Sequence, residues 1–247
     1  MRSLFIPNRP LQRIIHACAG GFLSLCAGTA TISSQQVDSA LLIQKIDAAV
    51  QARAEDVLSF TDVEHYVVFR GDDETHAAAE MTVTDTYHKG VGKSYTILSE
   101  SGSAIILKFG LHPLLDNEQE INQPGNVEKS WFVSANYDMK LKQLGTVSLN
   151  GRDCYVVDIK AKRKAPNAID GSIWVDARDG TLAQIDGVAT ESASALSGAA
   201  HMMREYVNVN GYSMARHARA ESTSMLFGRT VVVIDYSDYQ LQLKGAK

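Results

Sequence analysis

"DGSIWVDARDGTLAQIDG", residues 170–187, decides the fold. It carries four aspartates, and they are either a cation-binding cluster or the frame of two strands. The calcium-loop spacing D-x-[DN]-x-[DN]-G does not fit. "GSIWVD" and "TLAQID" are short, β-rich runs, and "ARDG" between them has the composition of a turn. Gly180 is expected to take the left-handed backbone position. Asp176 and Asp179 are expected to hydrogen-bond the local backbone, the usual work of aspartate beside a turn. The stretch predicts a β-hairpin, not a site of chemistry.

The same signals recur outward from it. Asn150-Gly151 joins "YDMKLKQLGTVSL" to "RDCYVVDIKAK", and Asn210-Gly211 sits inside "REYVNVNGYSMARHARAES". Asn-Gly between alternating runs marks a type I′ hairpin, because both central residues need positive φ. "FTDVEHYVVFRG" sets Val63, His65, Val67 and Phe69 against Glu64, Tyr66, Val68 and Arg70. "AAEMTVTDTYHKG", "KSYTILS" and "SAIILKF" are expected as further strands, and "MLFGRTVVVIDYSDYQLQL" as a last hairpin around Phe227-Gly228. Before the strands, residues 35–58 place Leu42, Ile46, Ala49, Val50 and Val57 on one helical face, with Asp38 as N-cap. Residues 111–137 lack alternation and contain Pro113, Pro124 and Gly125, so short helices or a covering loop are expected.

Some ten antiparallel strands in one sheet must curl, close or split. The fold class expected is α+β, mostly β. It is a curled antiparallel sheet, an incomplete β-barrel, with an N-terminal helix and short helices on its concave side.

The chain has 247 residues, 45% of them hydrophobic, and a formal net charge of −4. Its one basic cluster, Lys160, Lys162, Arg163 and Lys164, is short enough for a solvated loop, so no nucleic-acid partner is expected. In the first thirty residues Arg2, Arg9 and Arg13 are the only charges, and "IIHACAGGFLSLCAGTA" follows. That order of basic, apolar and small residues matches an export signal cut near Ala30. The expected location is the periplasm, with residues 31–247 as one domain, more acidic by three charges. "IHAC" has His16 where a lipid anchor wants a small or aliphatic residue, and "LSLC" has Leu25 directly before its cysteine, so neither Cys18 nor Cys26 is expected to carry one. Cys154 would remain alone, so no disulfide within the chain is expected.

Chemistry finds little support. No H-x-H or H-E-x-x-H motif occurs, so no metal is expected. No phosphate- or dinucleotide-binding glycine loop occurs, and no cofactor is expected. "GYSMA" (211–215) partly matches the G-x-S-x-G elbow, but it opens a hairpin where that motif needs a strand-to-helix turn, so Ser213 is not expected to be a nucleophile. What the pattern offers is an apolar concavity larger than its helical cover. The candidate wall residues are Phe69, Met81, Tyr95, Ile97, Leu107, Phe109, Trp131, Trp174 and Met202.

"SGSAIILKFGLHPLLDNEQ", "LGTVSLNGRDCYVVDIKAKRK", "GSIWVDARDGTLAQIDG" and "VVIDYSDYQL", in this order, resemble the LolA-like family of periplasmic lipoprotein carriers, in its branch of outer-membrane lipoprotein-sorting proteins. The resemblance implies a half-barrel whose mouth is covered by helices, a hydrophobic cavity for acyl chains, and no catalysis. It implies a lipid or acylated protein as cargo and a monomer. The alternative is an envelope sensor or protein-interaction module on the same fold, with an envelope protein as partner. The family's carriers latch the helical lid with an arginine in an Arg-Pro setting. The matching stretch here, "MTVTDTYHKGVGKSY", has only Lys89 and Lys93. A lysine lacks the bidentate fork, so the same latch is not expected.

Overall fold

The computed structural model describes residues 38–165, 167–191, 199–224 and 228–245. The expected export segment, with Cys18 and Cys26, lies outside the described residues, as does Phe227. The first element is helix α1 (Ser39–Asp56), capped by Asp38, whose carboxylate accepts from the Ala40 N–H at 2.9 Å. Three strands follow: β1 (Val57–Arg70), β2 (Ala79–His88) and β3 (Gly92–Gly102). A covering segment comes next: α2 (Ala104–Ile106), a π-helical turn (Leu107–Leu111), α3 (His112–Ile121) and a 3₁₀ turn (Val127–Ser130). The rest is sheet: β4 (Tyr137–Leu141), β5 (Val147–Leu149), β6 (Arg152–Ala161), β7 (Ile169–Asp176), β8 (Leu182–Ala189), β9 (His201–Val209), β10 (Tyr212–Ser224) and β11 (Gly228–Leu243).

All strands join one antiparallel sheet in the order β3-β2-β1-β11-β10-β9-β8-β7-β6-β4, with β5 beside β6. The sheet is curled and does not close into a barrel. One row of paired residues crosses it: Glu100, Met81, Tyr66, Ile234, Ala218, Arg204, Ile185, Ile173, Val157, Leu141. Residues in register share a face, so this row lies on the inner face. That face has two covers. α1 sets Leu42 and Ile46 against Val157, Ile173 and Ile185. The covering segment sets Ile106, Leu111 and Leu115 against Tyr66, Val68, Met81 and Val83. The α1 cluster reaches Met202 and Tyr206 of β9, and the cluster under the covering segment reaches Ala218 of β10 and Ile234 of β11.

The opening stretch is the hairpin β7–β8. Asp176 accepts from the Arg178 N–H and Asp179 from the Thr181 N–H, both at 2.9 Å. Gly180 has φ +76°, and a Cβ there would meet the Lys45 backbone at 2.8 Å, so α1 seats directly on this turn. Asn150 and Asn210 have positive φ, as their hairpins require. Gly171 and Gly187 face each other across β7–β8, where a Cβ on Gly171 would lie 2.2 Å from the Asp186 carbonyl oxygen. The strands can come this close only without side chains.

One expected strand is absent. "SAIILKF" is helical, from Ala104 into the π turn. A short apolar run has no period that separates strand from buried helix. Gly102, at φ +90°, turns the chain off the sheet edge, and Ile106, Leu111 and Leu115 then fall on one buried side.

Candidate functional site

β1 sends Phe60, Asp62, Glu64, Tyr66 and Val68 inward, all buried. This is the opposite face from Val63, Val67 and Phe69, which looks more apolar in sequence. Asp85 of β2 pairs with Asp62 in register and is also buried. Carboxylate oxygens of Asp62, Glu64 and Asp85 lie within 4.8 Å of one another, close enough to share a cation. The chain supplies that cation itself. Lys93 of β3 places its ammonium 2.8 Å from Asp85 and 3.2 Å from Glu64. Burial alone would lower the Lys93 pKa, but Glu64, Asp85 and Glu118 together hold it well above its ordinary value. The Tyr66 hydroxyl donates to Glu64. Asp62 lacks such support. Neither oxygen has a partner in hydrogen-bonding geometry, although the Tyr239 hydroxyl lies alongside. Burial, and then the neighbouring Glu64, push the Asp62 pKa up to about 7.

α3 runs along β3 and is tied to it at three levels. His112 bonds Glu100, Asp116 accepts from the Tyr95 hydroxyl at 2.8 Å, and Glu118 lies 3.9 Å from Lys93. Arg204 of β9 also reaches Glu118, at 3.8 Å. The absence of Arg-Pro therefore does not leave the covering segment untied. Lys93 joins it as a point charge and Arg204 reinforces it from across the sheet. Lys89 does other work, donating to the Glu55 carbonyl at 3.0 Å.

The cavity under α3 is small, about 10 Å³, and is lined by Glu64, Tyr66, Asp85, Lys93, Tyr95, Leu115, Glu118 and Gln119. It has room for about one water molecule. The inner face around it is filled by side chains of the covering segment.

The expected wall residues do not meet in one place. Met81, Tyr95 and Leu107 surround the apolar bed under the covering segment. Ile97 shares their face, in register with Val83, but at the open edge. Met202 packs with the α1 cluster. Phe69 and Trp174 lie on the outer face, opposite Tyr66 and Ile173. Trp131 is in the loop after the 3₁₀ turn, and Phe109 stands 63% exposed on the covering segment. Ser213 donates to the Leu182 carbonyl at 2.7 Å and has no histidine beside it among the described contacts. Cys154 is buried as a free thiol.

The sequence reading missed Asp62, Glu64, Asp85, Glu118 and Arg204. Its one available signal was the acids at alternate positions of otherwise apolar runs. It carried no indication that the acid-bearing face turns inward.

No protein-family model matches the chain, and no curated protein is similar to it. Solved structures are. A LolA superfamily protein from Nitrosomonas europaea aligns over 83% of this chain and 94% of its own, at 13% identity and TM-score 0.43. A domain described as an outer membrane lipoprotein-sorting protein, from Vibrio parahaemolyticus, covers 83% and 95%, at 14% identity and TM-score 0.44. A DUF1329 family protein from Desulfovibrio piger covers 83% and 95%, at 14% identity and TM-score 0.41. At such identities the likeness concerns the fold alone. No helix among the described residues is long and apolar enough to cross a membrane.

Proposed function

We propose that the protein is an exported, non-enzymatic binder of an acyl chain, free or on a protein, in the periplasm. In this reading the described conformation is the closed state, and the covering segment is a lid occupying the ligand's place. The observation that carries it is the inward trio Ile106, Leu111 and Leu115, laid on the bed of Tyr66, Met81 and Val83.

The magnitudes favour reversible loading. Three lid side chains leaving the bed forfeit about 1.5–3 kcal/mol each. A twelve-carbon chain taking their place gains about 0.8 kcal/mol per buried CH₂, or roughly 10 kcal/mol. Exchange is then close to balanced, as a carrier that must release its cargo requires. Met81, Tyr95 and Leu107 are the wall candidates placed to meet the chain.

The test is binding of a fluorescent fatty acid to delipidated protein, with amide exchange followed in parallel. Binding accompanied by faster exchange across residues 104–121 supports the reading. Absence of binding, or binding that leaves lid exchange unchanged, refutes it. The alternative, a protein-interaction module, is favoured by Ile105 and Phe109 standing exposed one helical turn apart on the lid. A stoichiometric protein partner captured without lipid would select it.

A further inference from the structure

Asp62 sits where β1 bulges against β11. The register jumps there from Thr61 opposite Gln240 to Val63 opposite Ser237. Asp238, inside the bulge, has φ +56°, a backbone that non-glycine residues seldom adopt. Bulges and strained backbone cluster at the working parts of folds. Asp62 itself is 2% exposed, and neither of its carboxylate oxygens is hydrogen-bonded. Buried charges are normally paired, and an unpaired carboxyl avoids the cost by keeping its proton.

The elements around Asp62 each add a titratable or charged group. β1 brings Glu64, β2 Asp85, β3 Lys93 and β11 Tyr239. Arg53 of α1 interacts with Tyr239 and Tyr87. α3 brings Glu118, which meets the group through Lys93. Four acids therefore act on one lysine, and among the described ion pairs Arg204 joins them at Glu118 alone. Asp62, Glu64 and Asp85 are fixed by the paired backbones of β1 and β2. Glu118 is the exception, because it rides on α3. Its 3.9 Å to Lys93 is the longest of the lysine's ties, against 2.8 Å to Asp85 and 3.2 Å to Glu64. A negative charge arising on Asp62 competes with Glu118 for Lys93, and Glu118 is the acid that is free to leave.

We propose that docking of the covering segment is coupled to one proton held by Asp62: while the proton is in place Lys93 holds Glu118, and its loss releases Glu118 and loosens residues 104–121. Burial, and then Glu64, push the Asp62 pKa up to about 7, while Lys93 stays well above its ordinary value, so the acid and not the lysine changes charge near neutrality. Once α3 lifts, water reaches the cluster through the cavity that Glu64, Asp85, Lys93 and Glu118 line, and the Asp62 proton is held less tightly. The docked state is the one that binds the extra proton. Docking therefore weakens as pH rises toward about 7 and is level above that. The competing account is a neutral carboxyl that titrates only with global unfolding. It leaves Lys93's tie to Glu118 without a part in the titration, although the two share one cavity. Easier cargo loading above neutral pH rests on the acyl-binding reading; the proton-linked docking does not.

The experiment follows amide exchange on the full chain and on Asp62→Asn from about pH 5 to about pH 8, with rates corrected for the intrinsic effect of pH. Both proteins are first shown to melt cooperatively. Linkage allows up to about tenfold per pH unit, so exchange across residues 104–121 of the parent is expected to rise at least about fivefold over the range. Asp62→Asn is expected to stay within about twofold of the parent's value at the acid end throughout. His112 ties the covering segment to Glu100 in both proteins, so its contribution cancels in the comparison. A flat profile in the parent, or the same rise in Asp62→Asn, overturns the coupling. So does an equal rise across β7 and β8, which reports the whole fold and not the covering segment. Should Asp62→Asn not fold, Glu118→Gln replaces it, with exchange expected to be faster at the acid end and the rise lost; a rise that persists overturns the coupling. Fatty-acid binding is measured separately at both ends of the range. Binding with a flat exchange profile leaves the carrier reading and removes the coupling, and a pH-dependent profile without binding does the reverse.

Discussion

Replacing Asp62 with asparagine keeps the shape of the side chain and removes its titration. The carboxyl is 2% exposed, and its pKa in the folded chain is about 7 against an ordinary 3.8. Between those values the folded chain holds a proton that the unfolded chain has released. Stability therefore falls as pH rises from about 4 to about 7 and is level above that. At about 1.4 kcal/mol per pH unit, the three-unit gap amounts to roughly 4 kcal/mol. In a domain of this size 1 kcal/mol moves the melting temperature by about 2–4 °C, so the change is on the order of 10 °C. Asp62→Asn is expected to melt near the parent at about pH 4 and well above it at about pH 8. The assay is thermal unfolding of both proteins across that range. A gap between the two that stays constant with pH would refute the reasoning. It would mean that Asp62 is ionised in the fold, balanced by Lys93 or another cation.

The remaining predictions concern the lid and the sheet. Glu118→Gln removes the charge that Lys93 and Arg204 share. It is expected to cost only about 1 kcal/mol, the range for partly exposed pairs, while speeding amide exchange across residues 104–121. Leu115→Ala is expected to cost about 2–5 kcal/mol in chemical denaturation and, on the proposed function, to tighten fatty-acid binding by leaving the bed less filled. Gly171→Ala forces a Cβ against the Asp186 carbonyl and is expected to cost more than about 2 kcal/mol, read as a lowered melting temperature with ligand preference unchanged.

The sequence by itself determined most of the strands and their turns. Asn150-Gly151, Asn210-Gly211 and Asp176 to Gly180 act within a few residues of themselves, so their backbone demands are legible without the rest of the chain. It also placed α1, whose cap and apolar stripe are local. Tertiary structure decided what no local pattern holds. β1 pairs with β11, Val57 opposite Leu243, and that distant pairing helps fix which face of β1 turns inward. The apolar Val63 and Val67 are left on the outer face, and Asp62 and Glu64 are buried. "SAIILKF" became a cover because the inner face of β1 and β2 offers its apolar side chains a bed. Lys93, Glu118 and Arg204 lie far apart in sequence, and only the fold brings them together. Hydrophobic period measures how much of a strand can be buried. Which face is buried depends on what the fold sets against it, and here that is α1 and the lid.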